Sequence, residues 1–252
     1  MSPDLRLREG AWLIADAHYA PARPQLYHTL LLARNKRLLP DQIILFGDIF
    51  DLLFGDAPVS IEPNRKMVDL LIEIAREREV IYLEGNHDFG LAPLFGDVMR
   101  VVPRTAQPLI AEWAGKRWGL HHGDLLEGKG YELYTALIRS RGVVRGLNTL
   151  DRLTGGRVMA RLRKYNAKKA PCREISGFYE KQKKKMDILM KMYPLEGWLE
   201  GHYHQDRAYR YGKIGYINLP AFMCEGRFVR IDDAGAFNRV KISEKGSYVV
   251  EK

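Results

Sequence analysis

Cysteine is almost absent from this 252-residue chain: Cys172 and Cys224 are its two, far apart and outside any Cys-X-X-Cys motif. That argues for a reducing compartment and against both a disulfide framework and a zinc-thiolate site. Long apolar runs are missing too, and none approaches the roughly 18 to 20 residues that a membrane span needs. The first ten residues, MSPDLRLREG, lack the charged-then-apolar pattern of a secretory signal. Together these absences predict a cytoplasmic protein. No internal repeat occurs, and the one low-complexity tract is KQKKK at 181–185. One large domain, or a domain with an insertion, is the expectation for this length.

Acidic residues are scarce in one segment. Residues 129–191 hold 17 Lys and Arg against 5 Asp and Glu, a local excess of 12, whereas the whole chain carries +9. The remainder is therefore slightly acidic, and the basic character belongs to one place. A local anionic partner follows: phosphate-rich ligands, nucleic acid and an anionic membrane surface all qualify. A solubilising helical face would give the same count.

The hydrophobic pattern organises the rest. AWLIAD (11–16), QIILFGD (42–48) and VIYLEGNHD (80–88) read as buried strands. Helical spacing covers 26–39, with Leu26, Leu30, Ala33 and Arg37, and 63–79, with Met67, Leu70, Leu71, Ile74 and Ala75. Strand, helix, strand, helix, strand predicts an α/β core. Two strands at 108–113 and 116–122 follow, joined by an Ala-Gly turn. A basic, mostly helical insertion at about 127–192 comes next, with breaks expected at Gly142, Gly155, Gly156 and Pro171. Strands return at 197–202, 207–211, 215–219, 227–231 and 237–242.

Five of these strands end in a polar cluster. They supply Asp16 and His18; Asp48 and Asp51; Asn86, His87 and Asp88; His121, His122 and Asp124; His202 and His204. Ligands of open α/β sheets bind at the carboxyl ends of strands, so the five clusters should converge. Read alone, His-X-His is an ordinary polar turn. Read jointly, six of the seven histidines fall in these clusters. Carboxylates and imidazoles without thiolates suit divalent Mn, Fe, Co or Zn. The set is large enough for two ions, and Asp48 is the candidate to bridge them. A glycine stands beside most ligands, at Gly47, Gly85, Gly123 and Gly201, where it would let the backbone turn sharply.

Asp-X-His, Gly-Asp-X-X-Asp, Gly-Asn-His-Asp, His-Gly-Asp and Gly-His-X-His, in this order from Asp16 to His204, resemble the calcineurin-like metallophosphoesterase superfamily. The resemblance implies a four-layer αββα sandwich, one domain over residues 1–252, with the helical insertion as a lid. It implies two divalent ions, with Mn the expected metal. One would be held by Asp16, His18, Asp48 and His204, the other by Asp48, Asn86, His122 and His202. His122 is taken over His121 because it directly precedes Gly123; strand alternation turns His121 to the other face. His87 would stabilise charge on the phosphoryl group or protonate the leaving oxygen, with Asp88 assigned to the same catalytic pair. Asp88, Asp51 and Asp124 are also placed to orient neighbouring ligands.

FGDIFDLLFGD (46–56), GNHDF and PAFMCEGRFVRI (220–231) are similar to the UDP-2,3-diacylglucosamine pyrophosphohydrolases of lipid A synthesis. That branch implies cleavage to UMP and 2,3-diacylglucosamine 1-phosphate. Its substrate joins anionic phosphates to greasy chains, which suits a basic lid with apolar faces. Arg161, Arg163, Lys164, Asn166, Lys168 and Lys169 are the candidate contacts. Peripheral attachment to an anionic inner-membrane surface follows from the same reading. Two positions depart from that branch: His87 stands where arginine is common, and Tyr203 where threonine is usual. A nuclease using the basic segment as an electrostatic track is the rival. It is not favoured, because Tyr131, Tyr134, Tyr165 and Tyr179 are too scattered for base stacking. A non-catalytic binding scaffold should have lost ligands, and none is lost.

Overall fold

The computed structural model describes residues 4–167 and 172–250. The chain opens with β1 (Leu5–Arg6), β2 (Trp12–Ile14), α1 (Gln25–Asn35), β3 (Gln42–Leu45), β4 (Leu53–Phe54), α2 (Pro58–Ile61), α3 (Arg65–Glu77) and β5 (Glu79–Leu83). It continues through β6 (Asp88–Phe89), α4 (Ala92–Phe95), β7 (Arg100–Val102), β8 (Leu109–Trp113) and β9 (Lys116–His121). Four helices follow in succession: α5 (Lys129–Ile138), α6 (Arg141–Leu153), α7 (Arg157–Ala167) and α8 (Phe178–Met192). The last part holds β10 (Gly197–Glu200), β11 (Arg207–Tyr211), β12 (Ile214–Asn218), α9 (Phe222–Glu225), β13 (Phe228–Ile231), β14 (Phe237–Ile242) and β15 (Tyr248–Val250).

Alternation along the strands makes the layers. In β2, Trp12 and Ile14 join one core and Leu13 joins another; Ile43 and Ile44 divide likewise in β3. A strand buried on both faces must have a layer on each side. On the outer side lie Leu26 and Leu30 of α1 with Met67, Leu70, Leu71 and Ile74 of α3. On the inner side the first sheet, ordered β15-β14-β13-β2-β3-β5-β7, meets the second, ordered β1-β8-β9-β10-β12-β11. The second sheet is covered in turn by α8, where Met186 and Leu189 pack on Trp198 and Tyr216. The result is the four-layer αββα sandwich.

β2, β3 and β5 run parallel, as do β9 and β10. Their carboxyl ends therefore open on one edge of the sandwich. Val144 of α6 and Met159 of α7 pack there on Phe54, Ala57 and Phe89, so these two helices sit above the strand ends.

Several expectations change. The break expected at Gly142 falls earlier, because Ser140 is extended and its Oγ accepts from the Val143 amide, starting α6 at Arg141. Gly142 is then a first-turn residue. Pro171 lies outside the described residues. The short edge strands β1, β7 and β15 carry too few residues for a periodic signal. Cys172 and Cys224, 52 residues apart, form a disulfide. Distance along the chain misled here, since α9 returns beside the α7–α8 connector. The cysteine argument for a reducing compartment falls with it. Among the described residues no helix is long and apolar enough to cross a membrane.

Candidate metal centre

Among the described residues the strand ends bring carboxylates and imidazoles together in three groups, one of them His18, Asp51 and His87. Asp16, His18 and His204 have ligand atoms within 4.8 Å of one another, and so do Asp48, His122 and His202. The two oxygens of Asp48 face different rings: Oδ1 is 3.6 Å from His122 Nε2, and Oδ2 is 3.7 Å from His18 Nε2. His204 Nε2 lies 3.2 Å from Asp16 Oδ1, and His122 Nε2 lies 3.2 Å from Asn86 Oδ1. Neighbouring ligands on one ion have such spacing, since each stands about 2.1 Å from the metal. His18 Nε2 is buried and makes no hydrogen bond. The donor set fits divalent ions.

Hydrogen bonds set the ring orientations. His122 Nδ1 lies 2.8 Å from the Phe46 carbonyl oxygen, which can only accept. Nδ1 therefore carries a hydrogen, and Nε2 is the atom turned toward Asp48 and Asn86. His87 Nδ1 stands 2.8 Å from the Asp51 carbonyl, so it too carries a hydrogen. Both Asp16 oxygens accept from the His202 amide, at 3.0 and 2.8 Å, tying the first strand end to the last.

The backbone is unusual at the same places. Nine non-glycine residues have positive φ among the described residues, and five are Asp16, His18, Asp48, His202 and His204. Such conformations are disfavoured for side chains with a Cβ and concentrate at functional sites. Two of the neighbouring glycines serve otherwise than expected. Gly85 and Gly201 are not among the positive-φ residues; a Cβ on Gly85 would stand 2.3 Å from Asp48 Oδ1, and one on Gly201 2.6 Å from Asp16 Oδ2. Their requirement is close approach.

Electrostatics follow from packing imidazoles around a carboxylate. Burial pushes the Asp48 carboxyl up, but His122, His87 and His18 outweigh it and hold it below its usual range. Burial pulls His122 down, yet Asp48, Asp124 and Asp16 push it up to about 9. Burial and then the His122 charge keep His202 well below the ordinary histidine range.

The remaining candidates take distinct places. Asp88 is fully buried, and its oxygens accept from the amides of Asp48, Ile49, Phe50 and Gly85 and from Tyr82 Oη. This carboxylate holds the turn that carries Asp48, a supporting place of the kind also expected for it. Asp124 accepts from Arg104 Nε at 2.8 Å and Tyr131 Oη at 3.2 Å. Asp51 pairs with Arg23 at 3.1 Å and lies 3.7 Å from His18 Nδ1. His121 points to the far side of β9, against Trp198 and 3.4 Å from Glu200.

A cavity of about 630 Å³ lies over this edge, lined among others by His87, Asn166, Arg23, Arg173, Ile175 and Met223. Of the lid candidates, Asn166 reaches it. Arg163 borders a separate hollow beside Pro21 and Pro63, Arg161 and Lys164 are exposed, and Lys168 and Lys169 lie outside the described residues. Sequence reasoning missed Arg23 and Arg173. It also missed Asn218, whose Nδ2 donates to the Gly201 carbonyl at 2.6 Å and whose Oδ1 accepts from the Gln205 amide at 2.8 Å, bracing the His202–His204 loop. Arg139 at the end of α5 donates to the Gly85 carbonyl at 2.9 Å and lies over the Phe89 ring. No local motif marks any of these.

A protein of Coxiella burnetii named UDP-2,3-diacylglucosamine hydrolase is 29% identical over 114 residues, 45% of this chain and 46% of that protein. Its namesake in Blochmanniella floridana is 25% identical over 122 residues, 47% of this chain and 49% of that one. The chain is similar to UDP-2,3-diacylglucosamine hydrolases. It spans about half the length of the curated relatives it matches. No family model matches it. Among solved structures, an archaeal phosphodiesterase superposes with a TM-score of 0.46 at 11% identity, over 96% of this chain and 99% of that one. The phosphoesterase Yfce from E. coli gives 0.45 at 14% identity, over 95% of this chain and 96% of that one.

Proposed function

We propose that this chain is a two-metal phosphoester hydrolase that cleaves the diphosphate of UDP-2,3-diacylglucosamine, releasing UMP and 2,3-diacylglucosamine 1-phosphate. The observation that carries this reading is the Asp48 carboxylate, with one oxygen toward His122 and the other toward His18. Asp16, His18, Asp48 and His204 would hold one ion; Asp48, Asn86, His122 and His202 would hold the other. When bound, such a pair, Mn in this proposal, acidifies water and neutralises charge on phosphoryl oxygens. In its doubly protonated form His87, which lines the cavity, would donate from Nε2–H to a phosphoryl oxygen or give that proton to the leaving oxygen, becoming the neutral ring held through Nδ1. Arg23, Arg173 and Asn166 supply donors for the second phosphate and the sugar. Ile175 and Met223 give the cavity an apolar wall.

The lipid part of the substrate needs a route from a membrane. Leu133 and Leu137 of α5 and Leu150 and Leu153 of α6 are exposed, and Lys129, Arg141, Arg145 and Arg152 stand on the same two helices. Apolar and basic side chains so mixed suit peripheral contact with an anionic bilayer. The basic excess of this region also suits nucleic acid, but Tyr131, Tyr134, Tyr165 and Tyr179 do not line the cavity.

The test is to load the protein with Mn and offer UDP-2,3-diacylglucosamine in detergent. UMP release that Asp48→Ala abolishes is the expected outcome. Hydrolysis of single-stranded DNA or RNA with no UMP from the lipid would overturn the substrate assignment.

A further inference from the structure

The run KQKKK looks like a solvated charge patch, yet its members differ. Phe178, Gln182, Lys185, Met186 and Leu189 make the buried stripe of α8, so Lys185 points inward while Lys181, Lys183 and Lys184 are exposed. Inside, Lys185 Nζ donates to the Gly123 carbonyl at 2.5 Å, to Glu200 Oε2 at 2.9 Å and to Tyr203 Oη at 3.4 Å. Gly123 directly follows His122. Glu200 ends β10 just before Gly201 and His202. Tyr203 separates His202 from His204. One ammonium therefore contacts both loops that carry the last three imidazoles of the centre.

Tyr203 is a second anchor in the same network. Its ring packs edge-on against His202, with centroids 5.0 Å apart, and against Phe178 of α8 at 5.4 Å. Its hydroxyl donates to Glu127, and Lys181 Nζ sits 4.5 Å from the ring centroid on an exposed stem. Glu200 is fully buried and also accepts from Tyr216 Oη. A buried ion pair is weak evidence of stabilisation, because packed apolar side chains of similar volume often do as well. What this pair does that apolar groups cannot is bind a carbonyl next to one ligand and hold the loop of two others. Groups that orient metal ligands from behind have large effects on affinity.

We infer that Lys185 and Tyr203 are positioning residues of the metal centre, through which helix α8 sets the placement of the His122 and His202 loops. The inference rests on the two-metal reading. It makes the insertion part of the centre's support, separate from any contact with substrate.

The experiment is calorimetric titration of metal-free protein with Mn, without substrate. Wild type, Lys185→Met, Lys185→Arg, Tyr203→Phe and Tyr203→Thr are compared, each first shown to be folded by its melting transition. Two binding events are expected in wild type, and the one that His122→Ala removes is assigned to the site beside Gly123. That event should weaken by about 10- to 100-fold in Lys185→Met and Tyr203→Thr. Lys185→Arg should restore most of it, and Tyr203→Phe should lie between. Lys185→Met strands the Glu200 charge, so if it does not fold the Tyr203 variants and Lys185→Arg decide. Two events in wild type with unchanged affinities in every folded variant would overturn this inference alone. A wild type that takes up no ion would overturn the two-metal reading along with it.

Discussion

Asn166 Nδ2 stands 3.3 Å from His87 Nδ1, although 79 positions separate the two residues. The contact joins α7 of the insertion to the third strand-end cluster, directly at the cavity. His87 Nδ1 is already committed to the Asp51 carbonyl, so the amide of Asn166 flanks the ring and leaves Nε2 open. Helix α7 therefore shapes the surroundings of His87, a strand-end histidine outside the two proposed ligand sets.

Asn166→Ala should leave metal uptake unchanged and lower kcat/KM by about tenfold, the loss of one hydrogen bond of about 1 kcal/mol or slightly more. Steady-state kinetics beside a metal titration check this. Weakened metal uptake would mean that Asn166 supports the centre and does not face substrate.

Asp48→Asn keeps the size of the side chain and removes its charge. Metal stoichiometry measured by elemental analysis should fall below that of wild type. Activity should fall by far more than the roughly 10- to 100-fold typical of a lost supporting group. Full stoichiometry in the variant would show that Asp48 is not shared between ions.

Asp88→Ala leaves four backbone amides and one tyrosine hydroxyl without their acceptor. A loss of about 3 kcal/mol or more is expected, because each unsatisfied buried donor costs about 1 to 3 kcal/mol. Urea denaturation reads it as a lower midpoint. The milder Asp88→Asn, where it folds, should keep the pH dependence of turnover; a shifted profile would give Asp88 a part in the proton-transfer steps.

Adding Mn to chelator-treated protein at about 100 times its dissociation constant should stabilise the fold by about 2.7 kcal/mol for each ion bound. For a chain of this size that is a rise in melting temperature of roughly 5 to 10 °C. Asp48→Ala should abolish most of the rise. An equal rise in the variant would assign the stabilisation to ions bound elsewhere.

How much of this was legible beforehand depends on the range of the interaction. The strand-end clusters are local, and parallel strands bring their carboxyl ends to one edge, so Asp16, Asp48, Asn86, His122, His202 and His204 meet without further information. Asp88 stands one step along the chain from His87, and its side chain turns into the loop below, where it accepts from the Asp48 amide. Lys185 was hidden by its neighbours, although the 178, 182, 186, 189 spacing contained the signal. The Cys172–Cys224 pairing and the Asn218 brace depend on where α9 and β12 return, which no local pattern encodes.

The left-handed backbone at Asp16, His18, Asp48, His202 and His204 has a consequence for selection. Each such residue costs about 1 to 2 kcal/mol that glycine would largely avoid. Random substitution screened only for heat resistance should therefore drift toward glycine or asparagine at these five places. A screen that demands metal uptake should drift away from them. Divergence between the two screens at one small set of positions would mark where this fold departs from its most stable sequence.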